Sequence, residues 1–250
     1  MPPTEVTMSS ARRDGRTLGL LLLVHLVSGL IVPYVMLQQL LPLPDRFLAS
    51  AAGVSLQVRL NTLSLFAGAA VTIGIAVAGW RTFRVRSYAL GVWLVALAAA
   101  NLSLQVGENV QWLSLMSLSE AFVKAGAGEL ARFQSLAIVV RAGLRWAHYS
   151  HLLVVVSWMF VLFVVLYRGA LVPRPLAALG MLGALGQVTG ITMPVLVGYR
   201  MPFPMLFGMP LGVFYLAMAV WLLVKGFPEP HGALPAEAAP RHPVSFPRTA

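Results

Sequence analysis

Six apolar runs constrain this chain more than any other feature. Each is long enough to cross a hydrocarbon core of ~30 Å at a helical rise of ~1.5 Å per residue. They extend from about Leu18 to Leu41, Leu56 to Trp80, Tyr88 to Leu113, Leu136 to Tyr167, Leu176 to Val197 and Met205 to Val224. Backbone amides find no water inside a bilayer, so only helices and closed barrels can span it. The runs are continuously apolar and do not alternate with period two, which excludes a barrel. The expected fold class is therefore all-α: a polytopic membrane bundle of six transmembrane helices.

Composition agrees. Of 250 residues, 58% are hydrophobic and 10% charged, and the mean hydropathy is +0.81. Soluble domains carry about 25% charge, so a water-soluble enzyme and a disordered chain are both excluded. The absence of cysteine removes disulfides, zinc–thiolate sites and thiol nucleophiles. The net charge of +10 comes from 16 Arg and 2 Lys against 8 acids. These basic residues sit in short clusters between apolar runs and build no continuous face, so nucleic acid is not an expected partner. The lipid bilayer is, because Lys and Arg at helix ends suit anionic headgroups.

Three regions follow. Residues 1–16 form a polar N-terminal segment, 17–227 a six-helix transmembrane domain, and 228–250 a Pro- and Ala-rich tail expected to be disordered. The first apolar run is too long for a signal-peptide core and is read as a retained span. The stretch Ser114 to Ser135 mixes Ser, Gly and charge with apolar residues. It is read either as an extra interfacial helix between spans three and four or as extensions of those spans beyond the membrane. With six spans, the termini and the 2–3 and 4–5 loops share one side and hold eleven basic residues, against seven elsewhere. The positive-inside rule places both termini in the cytoplasm of an inner (plasma) membrane protein.

Polar groups inside a bilayer are costly, at roughly 2.5–3.5 kcal/mol for a mid-span charge, so their positions carry information. Segment three holds Asn101, Gln105 and Glu108 at spacings of four and three, on one helical face, with Asn109 beside them. Segment four holds Arg141, Arg145 and His148 at the same spacings, followed by His151 and Tyr149. Segment two opens with Gln57, Arg59 and Asn61, and segment one ends with Tyr34, Gln38 and Gln39. In the chosen topology these positions share the non-cytoplasmic half. They outline a polar pocket whose candidate residues are Glu108, Arg145, His148, His151, Gln105, Asn101 and Arg59.

Glu108 is the acid set well within a span, and Arg59, Arg141 and Arg145 are its candidate partners. Arg59 and Arg141 also lie near enough to span ends to snorkel. The Glu108–Arg145 pairing reads equally as a structural ion pair or as part of a functional site. His148 and His151 read as a hydrogen-bonded pair facing the bundle. His-x-x-His lacks the adjacent Glu of a zinc helix, so no metal site is assigned. His25 lies nearer the cytoplasmic side than the segment-four histidines, which argues against haem, and no cofactor is expected. Gly186 and Gly190 in segment five form a small-xxx-small pair suited to close helix packing.

The order of these landmarks resembles a known family. Arg59-x-Asn61 opens segment two, polar residues from Asn101 to Asn109 end a long span, and His148-Tyr149 opens segment four. Pro173-Arg174-Pro175-Leu176 precedes segment five, and Trp221-Leu-Leu-Val-Lys225-Gly226 closes the last span. Over about residues 17 to 227 the chain resembles the bacterial six-span membrane proteins grouped as domain of unknown function 4386. The resemblance implies a six-span fold and carries no catalytic role with it. From the residues themselves, the leading expectation is a module that binds or passes a small molecule in an outward-facing polar pocket. The alternatives are an intramembrane enzyme using Glu108 and His148 as acid and base, and a structural or sensor subunit without a ligand. Oligomeric state is not fixed by these features.

Overall fold

The computed structural model describes residues 3–37, 48, 52–197 and 203–228. Within these residues all regular structure is helical. The first span is a broken rod. Helix α1 (Pro3–Leu26) runs into a π-helical turn (Val27–Ile31) and then α2 (Val32–Leu37). Pro33 has no amide hydrogen and its ring crowds the carbonyl four residues back, and the widened turn just before it relieves that crowding. The remaining spans are α3 (Ser55–Arg86), α4 (Tyr88–Ala125), α5 (Leu130–Arg168), α6 (Arg174–Val197) and α7 (Phe203–Lys225). Six of the helical segments are long and apolar enough to cross a membrane.

Several helices outrun the apolar runs that announce them. Helix α1 begins at Pro3, so the arginine-bearing segment before Leu18 is helical and continuous with the span. Between spans three and four there is no separate interfacial helix. Helices α4 and α5 simply continue, and a 3-10 turn (Ala127–Glu129) joins them. At 38 and 39 residues, each reaches close to ~57 Å, well beyond ~30 Å of hydrocarbon. The extension is held by its own small core of Val58, Leu115 and Met116, with Trp112, Val140 and Leu144 packed on it. Phe122 and Phe133 meet near its tip, ring centres 5.6 Å apart. Ser119 ties the hairpin to the preceding segment. Its hydroxyl donates to the Leu48 carbonyl at 2.6 Å and accepts from the Ala52 amide at 3.0 Å. Gly126 ends α4 at φ +84°, where a side chain would be strained.

The spans form a closed ring. Each packs on its chain neighbour, and α7 returns to α1. Ser87 alone separates α3 from α4, which forces them antiparallel. At one end, the arginine end, lie Arg12, Arg13 and Arg16 with Arg81, Arg84, Arg86, Arg168, Arg174 and Lys225. The α4–α5 hairpin marks the other. Gly15 and Gly19 close the ring. A Cβ on Gly15 would overlap the backbone of Gly226 and Phe227, and one on Gly19 the backbone of Ala219 to Leu223. Arg12 and Arg16 then donate to the Lys225 and Val224 carbonyls, both at 3.4 Å. Gly226, at φ +71°, caps α7 and donates to the Leu222 carbonyl at 2.8 Å.

Close contacts of α6 form at glycines. Gly180 seats the Phe163 ring and Gly183 abuts the Leu211 backbone, while Gly186 makes only ordinary contact with Phe207. The ring's interior is filled, not hollow. Leu18, Leu22, Ile75, Phe83, Leu162, Phe163, Met218 and Leu222 are fully buried there. Leu20, Val77, Leu182, Leu196 and Val213 face outward and are well exposed, as a lipid-facing surface requires.

Candidate functional site

Helix α4 carries its polar residues on the side wedged between α3 and α5. Asn101, Gln105, Glu108 and Asn109 are all buried, and each finds a partner on a neighbouring helix or along its own. Glu108, 3% exposed, is bridged by two histidines of α5. His148 Nδ1 lies 2.9 Å from one carboxylate oxygen and His151 Nδ1 lies 2.8 Å from the other. The far nitrogen of His151, Nε2, is 2.7 Å from the Asn101 side-chain oxygen. Asn101 donates through Nδ2 to the Thr72 hydroxyl at 3.2 Å, and Thr72 donates to the Ala69 carbonyl at 2.6 Å. A ladder of polar groups thus descends from His148, through Glu108, His151 and Asn101, to Thr72 on α3.

A second branch ties α4 to α3. Gln105 Nε2 donates to Asn109 Oδ1 at 2.9 Å, and Asn109 Nδ2 donates to the Thr62 carbonyl at 3.0 Å. Beside it Asn61 is fully buried, and neither of its amide atoms has a hydrogen-bond partner among the described residues. Buried polar atoms are rarely left in this state.

The two ends of the ladder differ. The His151 and Glu108 side chains are 10% and 4% exposed, but that of His148 is 50% exposed. His148 is therefore the point at which the buried carboxylate meets the surroundings. It lies toward the hairpin end of the bundle. Toward the middle of the bundle, His25 on α1 is also buried, with Nδ1 2.8 Å from the Tyr215 hydroxyl of α7. The Trp158 ring of α5 meets His25 edge-on at 5.6 Å, and its buried indole nitrogen has no hydrogen-bond partner among the described residues. Past His25, toward the arginine end, the interior among the described residues is lined by the apolar side chains described above. A cavity of about 290 Å³ between the first span and α3 is lined by Leu23, Val24, Val27, Ser28, Val32 and Ser64, and shares no residue with the ladder.

The structure thus brings together Glu108, His148, His151 and Asn101, and places Gln105 on the adjoining branch. It separates the arginines from them. Arg145 is exposed and makes no ion pair with Glu108. Arg59 pairs instead with Glu120 on the hairpin at 3.2 Å, both partly exposed. The reason is supply: two imidazoles already occupy both oxygens of Glu108, and the long arginine stems reach the surface. Gln38 and Gln39 lie outside the described residues, as do Arg46, Arg200 and the tail beyond residue 228. Sequence reasoning missed Thr72, Thr62, Tyr215 and Trp158. Thr72 offers one faint signal, a hydroxyl in the middle of an otherwise apolar run. Tyr215 offers none, because a single aromatic in a span reads as packing, and Trp158 reads from the sequence with the other tryptophans as an interfacial anchor, whereas it is fully buried. Among the described residues, no group of three or more His, Cys, Asp and Glu side chains is arranged to hold a metal ion.

The family model described as domain of unknown function (DUF4386) matches residues 17–226. No curated protein and no solved structure matches the chain.

Proposed function

This chain belongs to the DUF4386 family, a membership that brings no activity with it, and we propose from its own site that it is a membrane module binding or passing a small polar molecule. The site opens to the non-cytoplasmic side, with both termini in the cytoplasm of the inner membrane. One observation carries the reading: a buried carboxylate is held between two imidazoles, one of which is half-exposed at its edge. Ionisable groups at such depth are expensive, and they usually mark a pathway or a binding site. The unpartnered amide of Asn61 adds hydrogen-bonding capacity close by. Below His25 the apolar fill offers a polar solute no onward route in this conformation, so the solute enters from the hairpin end and is bound before it is passed.

The test uses the full chain in lipid nanodiscs and a panel of small amines, carboxylic acids and amino acids. A solute present at 100 times its dissociation constant should stabilise the folded protein by about 2.7 kcal/mol. The expected outcome is a thermal shift with one class of solute that Glu108→Gln and His148→Ala abolish. No shift with any class, or a shift both variants retain, overturns the reading.

The Glu108–His148 geometry also favours a second reading, an intramembrane enzyme. The carboxylate holds Nδ1 of His148 at 2.9 Å, which leaves Nε2 as a base facing outward, the arrangement of an oriented imidazole. Mass analysis of the recovered solute separates the two. An unchanged solute supports binding or passage, and a converted one supports catalysis.

A further inference from the structure

The hydrogen-bond ladder fixes how many protons the site holds. Thr72 has one hydroxyl proton, and its 2.6 Å contact with the Ala69 carbonyl uses it. The Thr72 oxygen can therefore only accept from Asn101, so the Asn101 amide nitrogen faces Thr72 and its oxygen faces His151. That oxygen accepts only, so His151 Nε2 must carry a proton. The other nitrogen of His151, Nδ1, lies 2.8 Å from Glu108. A hydrogen there belongs either to Nδ1, making His151 an imidazolium beside a carboxylate, or to Glu108, making a neutral acid beside a neutral imidazole. Both descriptions contain the same extra proton. With a carboxylate and a singly protonated His151, two acceptors would face each other across 2.8 Å.

We propose that the Glu108–His151 pair is a proton-binding site that holds one proton between its two side chains, its occupancy set by the Thr72–Asn101 relay. The proposal rests on the outward-facing site of the preceding section and names the first thing that site binds. Charge balances simply. A carboxylate with a neutral imidazole carries −1, and uptake of one proton from water brings the pair to zero. Neutrality lowers the cost of keeping the pair inside a bilayer. His148 needs one proton only, on Nδ1 toward Glu108. Its remaining nitrogen belongs to the half-exposed ring, which makes His148 the point where a proton would enter.

The groups that could compete are few. Helix α5 presents His148 and His151 to Glu108, and also carries Arg141 and Arg145. On α3, Arg59 is engaged with Glu120. Lys124 and the Glu129–Arg132 pair lie out on the hairpin. On α1, His25 is bonded to Tyr215.

The experiment is solid-state ¹⁵N resonance of histidine, paired with infrared difference spectra, on the full chain in lipid bilayers at neutral pH. His151→Gln and Glu108→Gln assign the signals. The expected result is a doubly protonated His151 or a protonated Glu108 carbonyl band, the two populations together accounting for one proton per chain. A singly protonated His151 beside an ionised Glu108 overturns the proposal. Thr72→Val releases Asn101 to turn its amide nitrogen toward His151 and should remove the signal, while Thr72→Ser keeps it. A signal unchanged in a folded Thr72→Val protein removes the relay from the mechanism. Failure of the solute panel leaves these spectra unaffected, so the two proposals stand or fall separately.

Discussion

The two histidines of α5 share one carboxylate but sit in different surroundings, and this sets what each substitution does. Replacing His151 with Ala leaves a cavity and strips partners from both Glu108 and Asn101. An unmet buried polar group costs about 1–3 kcal/mol, so a loss of roughly 3 kcal/mol or more is expected. His148→Ala removes a half-exposed ring and one partner of Glu108 but leaves Asn101 paired, so it should cost less, about 1–2 kcal/mol. Thermal unfolding in detergent would rank them, and equal losses would contradict the ladder's geometry. Arg59→Ala should be nearly silent, because exposed ion pairs contribute ~0–1 kcal/mol. Much of this site is legible in the residues. The spacing of Asn101, Gln105 and Glu108 places them on one face, and His148 and His151 are visible as a stripe. Arg145 misleads because steps of three drift by about 60° around a helix. Two such steps carry Arg145 about 120° away from His151, off the face that meets Glu108. The roles of Thr72 and Tyr215 depend on which helices become neighbours, which no local pattern encodes.

At the scale of helices, the closest approaches are made by glycine, and two kinds of glycine should respond in opposite ways. Gly19→Ala pushes a methyl group into α7 backbone and Gly15→Ala into the Gly226–Phe227 backbone just after it, neither of which can yield as a flexible side chain can. Overpacking of this kind costs about 1–3 kcal/mol. Gly212 has open space where its Cβ would lie, so Gly212→Ala should be neutral or stabilise by up to ~1 kcal/mol. Ala170, after α5, adopts φ +49°. Ala170→Gly removes a left-handed strain worth roughly 1–2 kcal/mol and should raise the unfolding temperature. Helix number and order follow directly from the apolar runs. Helix ends do not, because a span continues wherever a neighbour still offers an apolar seam. Leu115, Met116, Phe122 and Phe133 provide that seam for the hairpin. The Gly15–Gly19 contact is hidden for a related reason: it is embedded in an arginine-rich stretch that reads as a tail.

For the molecule as a whole, the six candidate spans among the described residues put residues 3 and 228 at the same end of the bundle. Tags at both termini should therefore share one accessibility in sealed cells, and a label at Lys124 on the hairpin should show the opposite one. Opposite readings for the two ends would refute the topology.

The filled half of the ring has an electrical consequence. Wherever water and polar groups penetrate a bilayer the field is weak, and most of the voltage falls across the dry layer that remains. Here that layer lies between His25 and the arginine end. A full elementary charge carried across 100 mV is worth about 2.3 kcal/mol, but a proton arriving at Glu108 from the hairpin side crosses only a small part of that drop. Loading of the proposed proton site should consequently be almost indifferent to membrane potential.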